Sequence, residues 1–266
     1  MVSIDLLPAI LSVGSGALVG FTLGLVGGGG SVMAVPLMVY VVGVKQPHLA
    51  IGTSALAVAA NAFAGLVGHA RAGNVNWRCG AAFASAGIIG AFAGSSLGKI
   101  VDGHRLLALF ALLMLVVAGA MFRGRGEEGI EGVVCHRQNL PRVLIFGLGT
   151  GALSGFFGIG GGFLIVPALV AATSMPIYRA IGTSLMAVTA FGVTTAANYA
   201  LSGMLDWALA GTFILGGIGG TVLGTWSSRR LSGAKGLLNT IFASGIVVVA
   251  LYMLWRSWTA LSGVPA

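Results

Sequence analysis

The chain has 266 residues, of which 57% are hydrophobic and only 8% charged, with a mean hydropathy of +1.00. Soluble domains are about a quarter charged, so this chain has no means of wetting a globular surface, and a soluble enzyme or secreted binding domain is excluded. The net charge of +8 comes from basic residues scattered through short loops without interleaved aromatics, which argues against nucleic acid. Glycine, at 45 residues, is far above the usual ~7% and follows no collagen period. Glycine-rich and very apolar together point to closely packed membrane helices and broken-helix loops. The apolar runs do not alternate as barrel strands would. The expected class is an all-α integral membrane protein in a lipid bilayer. Cys79 and Cys135 match no metal-site spacing and read as incidental thiols; no metal and no cofactor is expected. The opening MVSIDLLPAI has no basic residue before its apolar run and does not read as a cleavable signal.

Eight apolar blocks follow in chain order: Leu6–Val44, Leu49–Ala70, Arg78–Ile100, Arg105–Phe122, Val143–Thr173, Ala180–Leu201, Trp207–Ser228 and Gly236–Trp255. Six have about the ~20 residues that span a bilayer as one helix. The first and fifth are longer, and each holds a glycine cluster: Gly27, Gly28, Gly29 and Gly30 in one, Gly158, Gly160, Gly161 and Gly162 in the other. One long polar stretch, Arg123–Arg142, with Glu127, Glu128 and Glu131, divides the chain. The expected organisation is a first transmembrane repeat over 1–122, a cytoplasmic loop over 123–142 and a second repeat over 143–266.

The halves are duplicates. A shift of 131 residues lays Gly16, Gly20, Gly24, Gly27, Gly29 and Gly30 on Gly147, Gly151, Gly155, Gly158, Gly160 and Gly161, and Val35-Pro36 on Val166-Pro167. A shift of 130 lays Ala50-Ile51-Gly52-Thr53-Ser54 on Ala180-Ile181-Gly182-Thr183-Ser184, and Gly73, Trp77, Phe83 and Gly87 on Gly203, Trp207, Phe213 and Gly217. So many ordered matches mark an internal repeat.

Charge then sets topology. If the first and fifth blocks are re-entrant hairpins, one side holds Lys45, Lys99, Arg105 and Arg256. The other holds Arg71, Arg78, Arg123, Arg125, Arg137, Arg142, Arg179, Arg229, Arg230 and Lys235. Ten against four places the second side in the cytoplasm and both termini in the periplasm. Each half becomes a Gly-rich hairpin followed by three transmembrane helices, and the halves are inverted. A tilted or kinked single span is the alternative for each long block.

Irregular backbone at membrane depth must be buried in protein or line a wet cavity. The four contiguous glycines therefore predict a protected site, with the N–H groups of a following half-helix favouring an anion. Glycines spaced by four, such as Gly90, Gly94 and Gly98, read as helix-packing stripes instead. Ser31 follows the first cluster directly. Thr53, Ser54, Thr183 and Ser184 read either as caps of the helices they begin or as donors to an oxyanion. Asn61 and Asn198 are interhelical bonds or path residues. His69 and Arg179 stand near helix ends, where His69 is interfacial or titrates with transport and Arg179 draws anions to the cytoplasmic mouth. No carboxylate relay crosses the blocks, Asp5 and Asp102 being near their ends. A serine hydrolase would have to pair Ser31 or Ser154 with His69, and no spacing supports that.

The segments GLVGGGGSVMAVPLM and FGIGGGFLIVPAL, each followed by AIGTS, resemble the sulfite exporter TauE/SafE family over essentially the whole chain except the central loop. The resemblance implies an inner-membrane secondary transporter, an exporter of small sulfur-containing oxyanions such as sulfite or sulfonates. It implies that the glycine motif and the Thr-Ser pairs line the site. A passive anion channel, or an importer of an organosulfur compound, is the alternative. The expected partners are the anionic substrate and the bilayer, with monomer and homodimer both open. Leu49, where a basic residue is expected before the first AIGTS, makes any basic gate one-sided.

Overall fold

A computed structural model describes residues 6–123, 139–160, 162–230 and 244–256. Most of the central loop, with Cys135 and its glutamates, lies outside these residues, as do Asp5, Gly161 and Lys235. The described elements are all helical. They are α1 (Leu6–Val26), a 310 helix (Gly27–Met33), α2 (Ala34–Tyr40), α3 (Pro47–Arg71), α4 (Trp77–Gly98), α5 (Gly103–Arg123), α6 (Leu140–Phe157), α7 (Gly162–Thr173), α8 (Ile177–Leu201), α9 (Trp207–Arg230) and α10 (Ser244–Arg256). Six of them, α1, α3, α4, α6, α8 and α9, are long and apolar enough to cross a membrane. Trp77, Trp207, Trp226 and Trp255 are exposed near helix ends, as interfacial aromatic belts require.

Local chemistry fixes the helix starts. α3 and α6 carry proline in the first turn, where a missing N–H costs nothing. Asn76 caps α4 by accepting from Cys79 N, and Asp206 caps α9 by accepting from Ala208 N and Leu209 N, both at 3.0 Å. Asp102 caps α5 in the same way; the bond from the Arg105 N–H holds its carboxyl below the ordinary carboxylate range. The α3–α4 and α8–α9 turns are copies of each other. Gly73 and Gly203 both sit at φ +70°, a left-handed position that closes each helix end.

α3 and α8 form an antiparallel pair at the centre: Gly52 faces Tyr199, and Gly65 faces Leu185. Two parallel pairs flank it. Gly16, Gly20 and Gly24 of α1 lie on Phe213, Gly217 and Thr221 of α9, while Gly90, Gly94 and Gly98 of α4 lie on Leu148, Ala152 and Phe156 of α6. Each of these glycines meets partner backbone where a side chain would overlap it, so the stripes are close helix contacts. α9 runs with α3, and α4 runs with α8. The starts of α1, α3 and α9 therefore share one end, where Pro8, Lys45, Gln46, Leu49 and Leu209 line a groove of about 350 Å³. The ends of α3 and α9 share the other, with Arg71, Arg179 and the starts of α4, α6 and α8.

The long first and fifth blocks divide unevenly. α1 and α6 are each long enough to cross alone, at 21 and 18 residues, while the helices after the glycine segments, α2 and α7, have 7 and 12 residues. At 1.5 Å per residue those two helices cover only about 10 and 18 Å. Cys79 is no incidental thiol: it is buried and disulfide-bonded.

Candidate functional site

The two glycine segments meet. The 310 helix packs against α7 and α8, and both turns lie deep among α3, α5, α8 and α10. Gly160 locates the junction in depth. A Cβ built there would stand 2.9 Å from Val58 and 3.1 Å from Val188. Val58 and Val188 are each one residue from the centre of a 25-residue helix, so Gly160 lies at mid-height.

The turns themselves differ. Gly158 and Gly160 have φ of +69° and +66°, and Gly158 donates to Ser154 O at 2.8 Å, ending α6. A side chain at Gly158 would overlap Ile51. Gly162 is the buried first residue of α7. In the first half, Gly27, Gly28, Gly29 and Gly30 do not form an open loop but coil as the 310 helix, which ties their carbonyls into i→i+3 bonds. Gly30 is buried where a Cβ would press on the α1 backbone, and Ser31 is fully buried beside it.

The AIGTS segments lie a turn and a half inside α3 and α8 rather than at their caps. Thr53 Oγ1 accepts from Asp206 N at 3.0 Å, and Thr183 Oγ1 accepts from Asn76 N at 2.9 Å. Each threonine of one half thus holds the residue that caps a helix of the other half. Gly52 and Gly182 make room for those turns, since a Cβ on either would overlap the carbonyl of Met204 or Asn74. Ser54 and Ser184 donate back to Ile51 O and Ile181 O at 3.1 and 2.7 Å. In this state the motif works as a docking notch.

Asn198 is an interhelical bond. Its amide donates to Ser95 and Ser96 at 2.6 and 3.0 Å, and its carbonyl oxygen accepts from Lys99 Nζ at 2.8 Å. Asn61 is the opposite case: fully buried, with neither Nδ2 nor Oδ1 bonded. His69 lies in the last turn of α3 beside Gly182. Arg179 is half-buried in the first turn of α8, with its Nε unpartnered. Four further hydroxyls, Ser154, Thr195, Tyr199 and Thr221, are buried without a partner. The sequence shows them only as ordinary polar residues in apolar helices, a pattern shared by the many that bond their own backbone. Lys99 and Asp206 also take structural roles that spacing does not announce.

The profile of the sulfite exporter TauE/SafE family matches residues 12–253. The chain belongs to the TauE/SafE family. It is therefore a small-anion membrane transporter, a multi-pass protein of the inner membrane. A probable membrane transporter protein of Xylella fastidiosa strain 9a5c is 53% identical over 258 residues, covering 95% of this chain and 97% of that one. Probable membrane transporter proteins of Haemophilus influenzae and Methanocaldococcus jannaschii are 28% and 29% identical, covering 90% and 67% of this chain and 95% and 67% of their own. No solved structure matches.

Proposed function

We propose that the chain is a secondary transporter that exports small sulfur oxyanions, such as sulfite or a sulfonate. In this reading its two repeats, 1–122 and 143–266, are inverted and joined by a cytoplasmic loop over 123–142, with periplasmic termini. Helix direction supports this. α1, α3 and α9 run one way and their counterparts α6, α8 and α4 run the other. Charge supports it too, because the end holding Arg71 and Arg179 is the richer in basic residues.

The observation that carries the reading is the meeting of the two glycine segments, with Gly160 at mid-height between α3 and α8. The anion binds there against glycine backbone, near Ser31, once the Ile51, Val58 and Val188 contacts loosen. The Thr53–Asp206 and Thr183–Asn76 bonds hold turns of one repeat on helices of the other, so rocking of the repeats must strain or break them. Thr53, Ser54, Thr183 and Ser184 then become donors that the substrate recruits. Broken-helix sites at a repeat interface are a common transporter design.

Sulfite flux in proteoliposomes tests this. Gly160→Val should abolish flux in a correctly inserted protein, because a branched side chain cannot hold φ +66° between Val58 and Val188. Normal flux in that variant would sink the site. Uphill movement driven by a second gradient would separate alternating access from a passive channel.

A further inference from the structure

The 130-residue shift that superposes the repeats lays Asn61 on Phe191 and Gly217 on Gly87. The geometry follows the sequence. A Cβ on Gly87 would overlap the Phe191 ring, and a Cβ on Gly217 would overlap the Asn61 amide. Two matching slots are thus filled by different chemistry. Phe191 fills its slot with carbon and stacks on Phe83 at 6.2 Å. Asn61 fills the other with an amide whose two ends have no partner, and it is 0% exposed. One turn further along α9, Thr221 Oγ1 is also buried and unpartnered. The Thr221 Cγ2 stands 3.4 Å from where a Cβ on Gly65 would be, one turn beyond Asn61. Burying an amide with neither end bonded is costly, and packing alone would be served better by leucine.

The two residues adjoin the proposed site. Val58, one turn before Asn61, touches the second glycine turn at Gly160, and Thr221 packs against Gly24, just before the first cluster. We infer that Asn61 and Thr221 form a one-sided polar station that takes a small oxyanion bearing an acidic O–H. This rests on the anion-transport reading above. The amide N–H and the Thr221 hydroxyl donate to anion oxygens, while Asn61 Oδ1 accepts the ligand O–H. A fully ionised sulfonate offers no such proton. The station therefore selects the protonated monoanion, and it does so on one repeat alone.

Binding to the purified full-length protein in nanodiscs at pH 6 tests this, with hydrogensulfite and methanesulfonate as probes. Wild type should prefer hydrogensulfite. Asn61→Leu should lose its affinity about tenfold or more, as expected when a bond to a charged group is removed, and should erase the preference. Its melting temperature should hold or rise, because carbon replaces an unbonded amide; a purely structural asparagine would give the reverse. Asn61→Leu affinity within twofold of wild type overturns the station, and equal wild-type binding of both probes overturns the O–H contact. If Asn61→Leu fails to insert, Asn61→Asp and Thr221→Val must weaken hydrogensulfite binding, and unchanged binding in both overturns the proposal. Wild type that binds neither probe overturns the anion reading itself.

Discussion

Thr53 and Thr183 each accept one backbone N–H from the other half of the chain. Removing the acceptor leaves a part-buried donor without its bond, which costs about 1–3 kcal/mol. Thr53→Val and Thr183→Val should each lower stability by about that much. Thr53→Ser and Thr183→Ser should retain most of it, because the hydroxyl is kept. Thermal unfolding in detergent measures both. Equal losses for the valine and serine variants would show that the methyl, not the oxygen, matters. Ser54 and Ser184 bond within their own helices, so their alanine variants should change stability less than the threonine variants do.

At the scale of elements, the glycine stripes decide how closely helices approach. A Cβ on Gly94 would meet Ala152 backbone, and one on Gly20 would meet Gly217 backbone. Backbone cannot swing aside as a side chain can. Gly94→Val should therefore destabilise by at least the ~1–3 kcal/mol of ordinary overpacking. Gly149→Val should be tolerated, since nothing lies within 4 Å of a Cβ there. Size-exclusion profiles after heating compare the two, and equal tolerance would refute the packing role. Much of this architecture is legible in the chain, because the spacing-by-four stripes and the repeated AIGTS and Gly-Trp positions are periodic signals. What is not legible is partner choice. Nothing local says that Thr53 finds Asp206 rather than its own helix start, or that Gly27–Gly30 winds as a 310 helix while Gly158 and Gly160 turn left-handed. Those outcomes depend on which helices meet across the two halves of the chain. For the same reason Asn61 and Asn198, alike in sequence, end with opposite hydrogen-bonding fates.

At the scale of the whole molecule, topology and energetics are linked, because an anion leaving an inside-negative cell moves with the potential. Cysteines placed at exposed Lys45 and Arg71 test the orientation. An impermeant maleimide should label Lys45→Cys in intact cells and reach Arg71→Cys only after permeabilisation; the opposite pattern reverses the protein. Given that orientation, export needs little machinery. About 2.3 kcal/mol per charge per 100 mV acts outward on a monoanion, roughly a fiftyfold equilibrium gradient. Among the described residues no Asp or Glu lies mid-helix, Asp102 and Asp206 both being helix caps, so a carboxylate relay has no seat there. His69, in the last turn of α3, is far from mid-height, and His69→Ala should leave flux intact. Proteoliposomes with a valinomycin-set potential and no pH gradient should then sustain sulfite efflux that scales with the potential. Flux that fails under the potential and returns with a proton gradient would show that coupling, not the field, drives transport.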